Sequence, residues 1–317
     1  MIVSMPWNDR VRRRFKLRDL DILMEVVAAG SMGKAAGHLN MAQPAVSKAV
    51  ADLEHMLGVR LLDRSQQGVA PTAYGLALVK RGAAMFDELR QGFEDIDFLD
   101  DPTAGELRLA CTEAVATSII APLVERLTQR YPRMRFHVVT GGFEALSRDL
   151  PERKYEFVVS RVPDPLGDKL QTETLFHDTL VVVAAASDPL NRRRKVTLAE
   201  LIDRPWVLQL DTFFGPILAA AFRAEGHEPP RMAIVTTSHS MRTQLLATGR
   251  YLALVPGFSV RLPRKHAVLR VLPVALPHTR IFSNPVAIIT LKNRSLSGVA
   301  QLFIENLRAF TKPLAKS

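Results

Sequence analysis

In the segment LRDLDILMEVVAAG, Leu20, Leu23, Met24 and Val27 recur at i, i+3, i+4 and i+7, which predicts an amphipathic helix ended by Gly30. Ser31 is placed to cap a second short helix containing Ala35, Ala36 and Leu39, and its two alanines let another helix approach closely. After a turn at Asn40–Met41, a third helix opens with Gln43 and Pro44, where proline is tolerated in the first turn. Val46, Val50, Leu53 and Leu57 form one face of this helix, while Gln43, Ser47 and Lys48 form the other. The stretch GVRLLDRSQQGVAPT then reads as a short hairpin with its tip at Gln66–Gly68. Three short helices followed by a hairpin describe a winged helix-turn-helix over residues 17–74, preceded by an extension of residues 1–16.

Residues 73–99 carry one long helical pattern without an internal proline, so residues 75–101 are expected to form a linker helix. Leu76, Val79, Ala83, Phe86 and Phe93 keep the 3–4 spacing of a helix-packing seam, with Arg90 interrupting it and Leu89 beside it. DDPTAG, residues 100–105, breaks the pattern. Strands and helices alternate from there on. ELRLAC, RFHVVT, YEFVVS, TLVVVAAA, WVLQL, MAIVTT, LALVP and NPVAIIT read as strands, and SGVAQLFIENLRAF as a closing helix. This alternation predicts an α/β domain over residues 103–312, built of parallel sheets covered by helices. Crossings near Arg161–Pro163 and Ser283–Pro285 divide it into lobe 1, about 103–161 and 284–312, and lobe 2, about 162–283, with a cleft between them.

At 317 residues the chain is too long for one small core, and its composition is that of a globular protein. A single cysteine excludes an internal disulfide framework. The N-terminus lacks the apolar run of a signal peptide, and no stretch approaches the ~20 apolar residues of a membrane span, so a soluble cytoplasmic protein is expected. The net charge of +10 is unevenly spread. Residues 1–72 carry 10 Lys and Arg against 7 Asp and Glu, residues 73–101 carry 3 against 7, and the remainder 29 against 18. The basic excess thus lies mostly outside the helix-turn-helix, and charge alone is weak evidence for nucleic-acid binding.

The motifs are more specific. Gly30-Ser31, Ala35-Ala36, Gln43-Pro44-Ala45-Val46-Ser47, Leu53-Glu54, Leu57-Gly58, Leu61 through Arg64 and Thr72 through Gly75 follow one another at fixed spacing. Together they closely resemble the N-terminal domain of LysR-type transcriptional regulators. The resemblance covers residues 17–312 and implies a linker helix followed by a two-lobed effector domain similar to periplasmic solute-binding proteins. Three positions depart from the pattern. Met32 replaces a common aromatic, Ala42 a usual Ser or Thr, and Gln66 with Gln67 the frequent arginines of the wing tip. The second removes a side-chain cap, and the third should lower the salt-dependent part of DNA affinity.

The resemblance assigns Gln43, Pro44, Ser47 and Lys48 to the DNA major groove and Arg64 to a phosphate at the base of the wing. An ion pair of Arg64 with Asp63 or Glu54 is its structural alternative, and the basic arm RVRRRFK is as compatible with a solvated tail as with a backbone contact. For the effector it implies a site between the lobes, against the loop after the first strand of the domain. Thr112, Thr117 and Ser118 are the candidates there, with Ser238 and His239 from the second lobe. Arg161, at the end of a strand near the crossing, could pair an anion. Each of these residues serves equally well as a cap or loop group. No cofactor, metal ligand set or catalytic constellation is expected. The Ser-x-x-Lys match at Ser31 stands alone, the 8 histidines do not cluster at ligand spacing, and Cys111 has no resolving partner.

The reading is a ligand-responsive, sequence-specific regulator binding double-stranded DNA, with a small-molecule effector, a homodimer or homotetramer, and RNA polymerase as a partner the family implies. The C-terminal charge balance is compatible with an anionic effector. The rivals are a small-molecule-binding protein of the solute-binding type without a transcriptional role, an enzyme using the α/β domain, and a non-specific architectural DNA binder.

Overall fold

The apolar faces read from spacing are buried where the N-terminal helices cross. The computed structural model describes residues 14–65, 68–162, 166–209, 214–261, 268–276 and 283–316. Two compact units, residues 1–93 and 94–317, are taken in turn.

In the first, α1 (Leu17–Ala29), α2 (Met32–His38) and α3 (Gln43–Leu57) precede a two-stranded antiparallel wing, β1 (Leu62–Ser65) and β2 (Gly68–Pro71). Leu23, Val26, Ala35, Val46, Val50 and Leu53 form its core, and Met32 joins them. Gly30 ends α1 in the left-handed region at φ 64°, which a Cβ would disfavour. Ser31 Oγ accepts a long 3.5 Å bond from the Lys34 N–H. The wing is fastened to α3 by Glu54, whose Oε1 accepts from the N–H groups of Leu61 at 2.7 Å and Leu62 at 3.1 Å. It is fastened to the turn after α1 by the Val69 N–H, which donates to the Gly30 carbonyl at 2.9 Å. The wing-tip residues Gln66 and Gln67 and the arm up to residue 13 lie outside the described residues.

The long helix α4 (Ala73–Asp100) starts with Gly75 against the wing, where a Cβ would come 2.1 Å from the Leu61 carbonyl oxygen. Leu78 and Val79 pack on the core of the first unit. The apolar positions left exposed on α4 are Tyr74, Leu76, Met85, Leu89, Phe93, Ile96 and Leu99. The expected seam is therefore corrected. Val79, Ala83 and Phe86 are only partly exposed, and the continuous outward stripe runs through Met85, Leu89, Phe93, Ile96 and Leu99. Sequence spacing could not separate two apolar stripes on one helix, one of which serves the helix's own domain.

The second unit contains β3 (Ala104–Cys111), a helix of three joined segments, α5 (Glu113–Val115), a π-helical turn (Ala116–Ile120) and α6 (Ala121–Arg130), then β4 (Arg133–Thr140), α7 (Phe143–Asp149) and β5 (Phe157–Arg161). It continues through β6 (Leu170–Ala185), β7 (Trp206–Gln209), α8 (Phe214–Ala224), β8 (Met232–Thr236), α9 (His239–Ala247), β9 (Ala253–Pro256), α10 (Phe258–Arg261), β10 (Leu269–Val271), β11 (Ser283–Leu291) and α11 (Gly298–Thr311). Two findings correct the sequence reading. The sheets are mixed: β3 pairs in parallel with β4 and β5, while β11 is antiparallel to both β5 and β6. The lobe boundary also moves. Leu170–Thr179 of β6 pair with β11 in lobe 1, whereas Leu180–Val183 pair with β9 in lobe 2. One strand thus threads both lobes, and the first crossing lies inside it at Thr179–Leu180 rather than at Arg161–Pro163. The polar run QTETLFHD hid this half of β6, because few of its side chains enter a core.

The two lobes have separate cores. One is built around Leu109, Phe157, Ile288 and Phe303, the other around Val182, Trp206, Phe222 and Leu254. The start of α11 is held by two carboxylates. Glu156, 3% exposed, accepts from the Ser297 N–H and hydroxyl, and Asp95 Oδ1 of α4 accepts from the Gly298 N–H at 3.0 Å. Phe98 lies so close to Gly298 that a Cβ there would meet its ring at 2.4 Å.

Burial raises the Glu156 pKa above its ordinary value, and the Ser297 bonds oppose that shift. A carboxyl whose folded pKa is raised contributes stability below its unfolded pKa, near 4.5, and loses it as pH rises through the folded value. Glu156→Gln, which keeps an acceptor for Ser297, is therefore expected to gain stability relative to the wild type between pH 4 and pH 7. Urea unfolding across that range reads this directly. A constant difference between the two proteins would show that Glu156 does not titrate there.

Candidate nucleic-acid interface and effector cleft

Gln43 and Pro44 open α3, with Ala42 before them offering no side-chain cap. The first-turn N–H groups are thus left without a side-chain acceptor, at the positive end of the helix dipole. Gln43, Pro44 and Lys48 are exposed and Ser47 is half-buried, while Val46, Val50 and Leu53 anchor the helix in the core. The side chains of Gln43, Ser47 and Lys48 make no hydrogen bond or ion pair among the described residues. The Gln43 Oε1 lies near the start of α2, 3.7 Å from where a Gly33 Cβ would stand. Arg64 sits on β1 opposite Val69 and is exposed. Among the described residues it has no carboxylate partner; Glu54, its alternative partner, is occupied with the Leu61 and Leu62 N–H groups. The geometry therefore presents an amide, a hydroxyl, an amine and a guanidinium, all free to meet an outside partner.

In the second unit the candidate residues separate into three groups. Thr112 follows β3 directly and has no protein partner for its hydroxyl among the described residues. Thr117 and Ser118 occupy the π-helical turn. The Thr117 hydroxyl donates to the Glu113 carbonyl at 3.1 Å and keeps lone pairs for a further bond, whereas Ser118 is 4% exposed and turned inward. Such π turns widen a helix locally and recur at functional sites.

In lobe 2, Ser238 caps α9 by accepting from the Met241 N–H at 3.2 Å. His239 Nδ1 lies 3.1 Å from Arg242 Nη2, and Arg242 Nη1 donates to Gln209 Oε1 at 3.1 Å. Gln209, Ser238, His239 and Arg242 thus meet just beyond the carboxyl ends of the parallel strands β7 and β8, where α/β sheets commonly take their ligands. Sequence reasoning missed Arg242, which is 5% exposed, and Gln209. The signal was present in His239-Ser-Met-Arg242, an i, i+3 pair on one helix face.

Arg161 is a correction. It does not face an open cleft but is buried beside Asp178, with Nη1 donating to Asp178 Oδ2 at 3.0 Å and to the Asp178 carbonyl at 3.2 Å. The Asp178 carboxylate also accepts from the Gly257 and Phe258 N–H groups at 3.0 and 2.9 Å. The anion that Arg161 pairs belongs to the protein, at the point where β6 passes between lobes. Sequence alone could not show this, because β6 was not seen to begin before Asp178. Cys111 is buried, which pushes its thiol up to about 12. Among the described residues no group of three or more His, Cys, Asp or Glu is placed to hold a metal ion. No helix there is long and apolar enough to cross a membrane.

Comparison with known proteins gives these two units their family. Residues 17–76 match the model of the bacterial regulatory helix-turn-helix protein, lysR family, and residues 100–312 match that of the LysR substrate binding domain. The chain is 28% identical over 307 residues to the HTH-type transcriptional regulator GbpR of Azospirillum brasilense, covering 96% of this chain and 89% of that protein. It is 27% identical over 306 residues to the HTH-type regulator YdcI of Escherichia coli, covering 96% and 98%. Among solved structures, full-length OxyR from Pseudomonas aeruginosa shares the fold with a TM-score of 0.61 at 20% identity, covering 94% and 95%. Full-length CbnR, determined in complex with its target DNA, gives a TM-score of 0.52 at 20% identity, covering 94% and 100%. The helix-turn-helix match removes the reading as a solute-binding protein without a transcriptional role. The winged helix-turn-helix, the long helix and the two-lobed domain are those of a ligand-responsive, DNA-binding transcription regulator, and the chain belongs to the LysR family.

Proposed function

We propose that α3 enters the major groove of a pseudo-palindromic duplex with Gln43 reading a base edge, Pro44 shaping the first turn at the groove, Ser47 and Lys48 supporting Gln43, and Arg64 neutralising a phosphate beside the wing. The observation that carries this is the anchoring of Val46, Val50 and Leu53 in the core behind side chains that have no partner among the described residues. A base-reading amide and a phosphate-binding guanidinium fail differently when removed. Gln43→Ala is expected to lose roughly 1–3 kcal/mol on the preferred site and little on scrambled DNA, with its salt dependence unchanged. Arg64→Ala is expected to weaken both duplexes and to flatten the salt slope by about one unit. Titration of each variant on specific and scrambled duplexes at several salt concentrations separates the two. Equal losses on both duplexes for Gln43→Ala would make it a positioning residue.

The effector is held between the lobes, with Thr112 and Thr117 on one wall and Ser238 and His239 on the other. Arg242 behind His239, together with the basic balance of residues 102–317, favours an anionic molecule. Ser118, turned inward, supports the wall rather than touching the ligand. The protein acts in the cytoplasm as a homodimer or a pair of dimers joined through α4, contacts RNA polymerase when it activates, and needs no cofactor and performs no catalysis. The exposed stripe of α4 supports the assembly, and the relatives' being transcriptional regulators supports a role without catalysis.

A further inference from the structure

Lobe 2 carries four consecutive cations, Arg192, Arg193, Arg194 and Lys195, in the connection between β6 and β7. All four are exposed, whereas the apolar residues that follow, Val196 and Leu198, are buried. Arg193 is committed to Glu200, with Nη1 donating to Oε1 at 2.5 Å. Arg192, Arg194 and Lys195 have no carboxylate partner among the described residues. The nearby acids are already engaged. Glu200 also accepts from the Thr197 N–H and hydroxyl, and Asp188 is taken by Arg204 at 2.7 Å.

The backbone beneath these cations is fastened on several sides. Asp188 Oδ1 accepts from the Leu190 N–H at 3.0 Å, and the Asn191 amide donates to the Ala185 carbonyl at 2.7 Å. The Arg193 N–H donates to the Leu190 carbonyl at 3.1 Å, and the Val196 N–H to the Pro273 carbonyl at 3.0 Å. An ordered loop loses little conformational freedom when a partner binds. Its place is also distinct from the effector wall. β6 leaves the lobe crossing at Leu180 and ends at Ala185, so the loop begins roughly 17 Å from the crossing at the rise of a strand.

Charge and composition indicate the partner. The helix-turn-helix, residues 1–72, has only 10 Lys and Arg against 7 Asp and Glu, and its wing tip carries Gln66 and Gln67. Residues 102–317 have 29 against 18, so most of the charge able to neutralise phosphate lies outside the unit that reads DNA. A guanidinium presents its N–H groups as a fork that matches paired phosphate oxygens. A protein partner would need a desolvated apolar centre. Among the described residues the loop exposes no large apolar side chain, and the adjoining strand segment offers only Val268 and Val271. The surface fits a polyanion, and the polyanion this chain already binds is duplex DNA.

We propose that Arg192, Arg194 and Lys195 form a second DNA-contact surface, which holds backbone phosphates of the duplex flanking the site that α3 reads. The contact adds affinity without sequence preference, and the counterions it releases steepen the salt dependence of binding. It rests on DNA binding by the helix-turn-helix, which a short duplex measures separately.

The test uses the full-length protein and a preferred site selected from a randomised duplex library. Binding is titrated at several salt concentrations on a duplex trimmed to that site and on one extended by about 20 base pairs of unrelated sequence at each end. The wild type is expected to bind the extended duplex more tightly and with the steeper salt slope. Arg192→Ala, Arg194→Ala and Lys195→Ala combined should flatten that slope by roughly two to three units, close to 0.9 per phosphate contact, and leave the trimmed duplex unchanged. Arg192→Lys with Arg194→Lys keeps the charge and should keep most of the slope. Polyglutamate serves as the acidic-protein probe. The proposal is overturned if the wild type gains nothing from the flanks, or if the alanine variant keeps the wild-type slope on the extended duplex. It is equally overturned if both duplexes lose alike, if the lysine variant behaves like the alanine variant, or if only polyglutamate binding is lost.

Discussion

Arg161→Ala is expected to destabilise the effector domain by about 3–5 kcal/mol, the usual cost of removing one partner from a buried ion pair. The side chains of Arg161 and Asp178 are 9% and 2% exposed, so water cannot replace the guanidinium once it is gone. Burial lowers the Arg161 pKa from its ordinary value, and Asp178 opposes the shift. Asp178 cannot simply turn outward, because its oxygens also hold the Gly257 and Phe258 N–H groups. Arg161→Met combined with Asp178→Asn removes both charges but leaves one amide oxygen for two N–H groups, so it should recover only part of the loss. Denaturant unfolding of the effector-domain transition measures all three proteins. A cost below about 1 kcal/mol for Arg161→Ala would show the pair to be dispensable and would return Arg161 to the list of effector contacts.

Leu89→Glu together with Phe93→Glu is expected to convert the assembled protein to monomers at micromolar concentration. Leu89 and Phe93 are 41% and 66% exposed in the single chain, with Met85, Ile96 and Leu99 continuing the same stripe of α4. Charges there cost little in a monomer, but burying two carboxylates in a helix seam carries a penalty of several kcal/mol, or some hundredfold or more in association. Sedimentation velocity reads the change, with circular dichroism confirming that both units stay folded. Phe86→Glu, the variant that spacing alone would suggest, is less decisive because Phe86 is partly covered within the chain itself. If the double variant sediments like the wild type, α4 does not join the protomers.

How much of this was legible in the sequence differs between the two units. In the first, the helices are short and their apolar residues recur at helical spacing, so Leu20, Leu23, Val46, Val50 and Leu53 announce which side is buried. Once those are fixed, Lys48 falls on the side opposite them and Ser47 at the edge, whereas Gln43, seven residues before Val50 and in line with it, is exposed as the first residue of the helix. Gly30, Ser31 and Asn40 marked the turns for local reasons of backbone geometry and capping. Nothing distant was needed. The same holds for most strands of the second unit, where apolar runs such as YEFVVS and NPVAIIT stand out by themselves.

Tertiary structure decided what depends on partners far away in the chain. The polar first half of β6 is a strand because β11, over a hundred residues later, supplies its hydrogen bonds; its own side chains carry almost no core signal. That strand brings Asp178 beside Arg161 and turns a candidate ligand contact into an internal ion pair. In the same way Arg242 gains its meaning from Gln209 on another strand. The choice between the two apolar stripes of α4 was equally closed to the sequence, since spacing gives the direction of a side chain but not what lies opposite. Local periodicity and turn chemistry are written in consecutive residues. Charge pairing, strand order and cavities arise only when segments far apart in sequence meet.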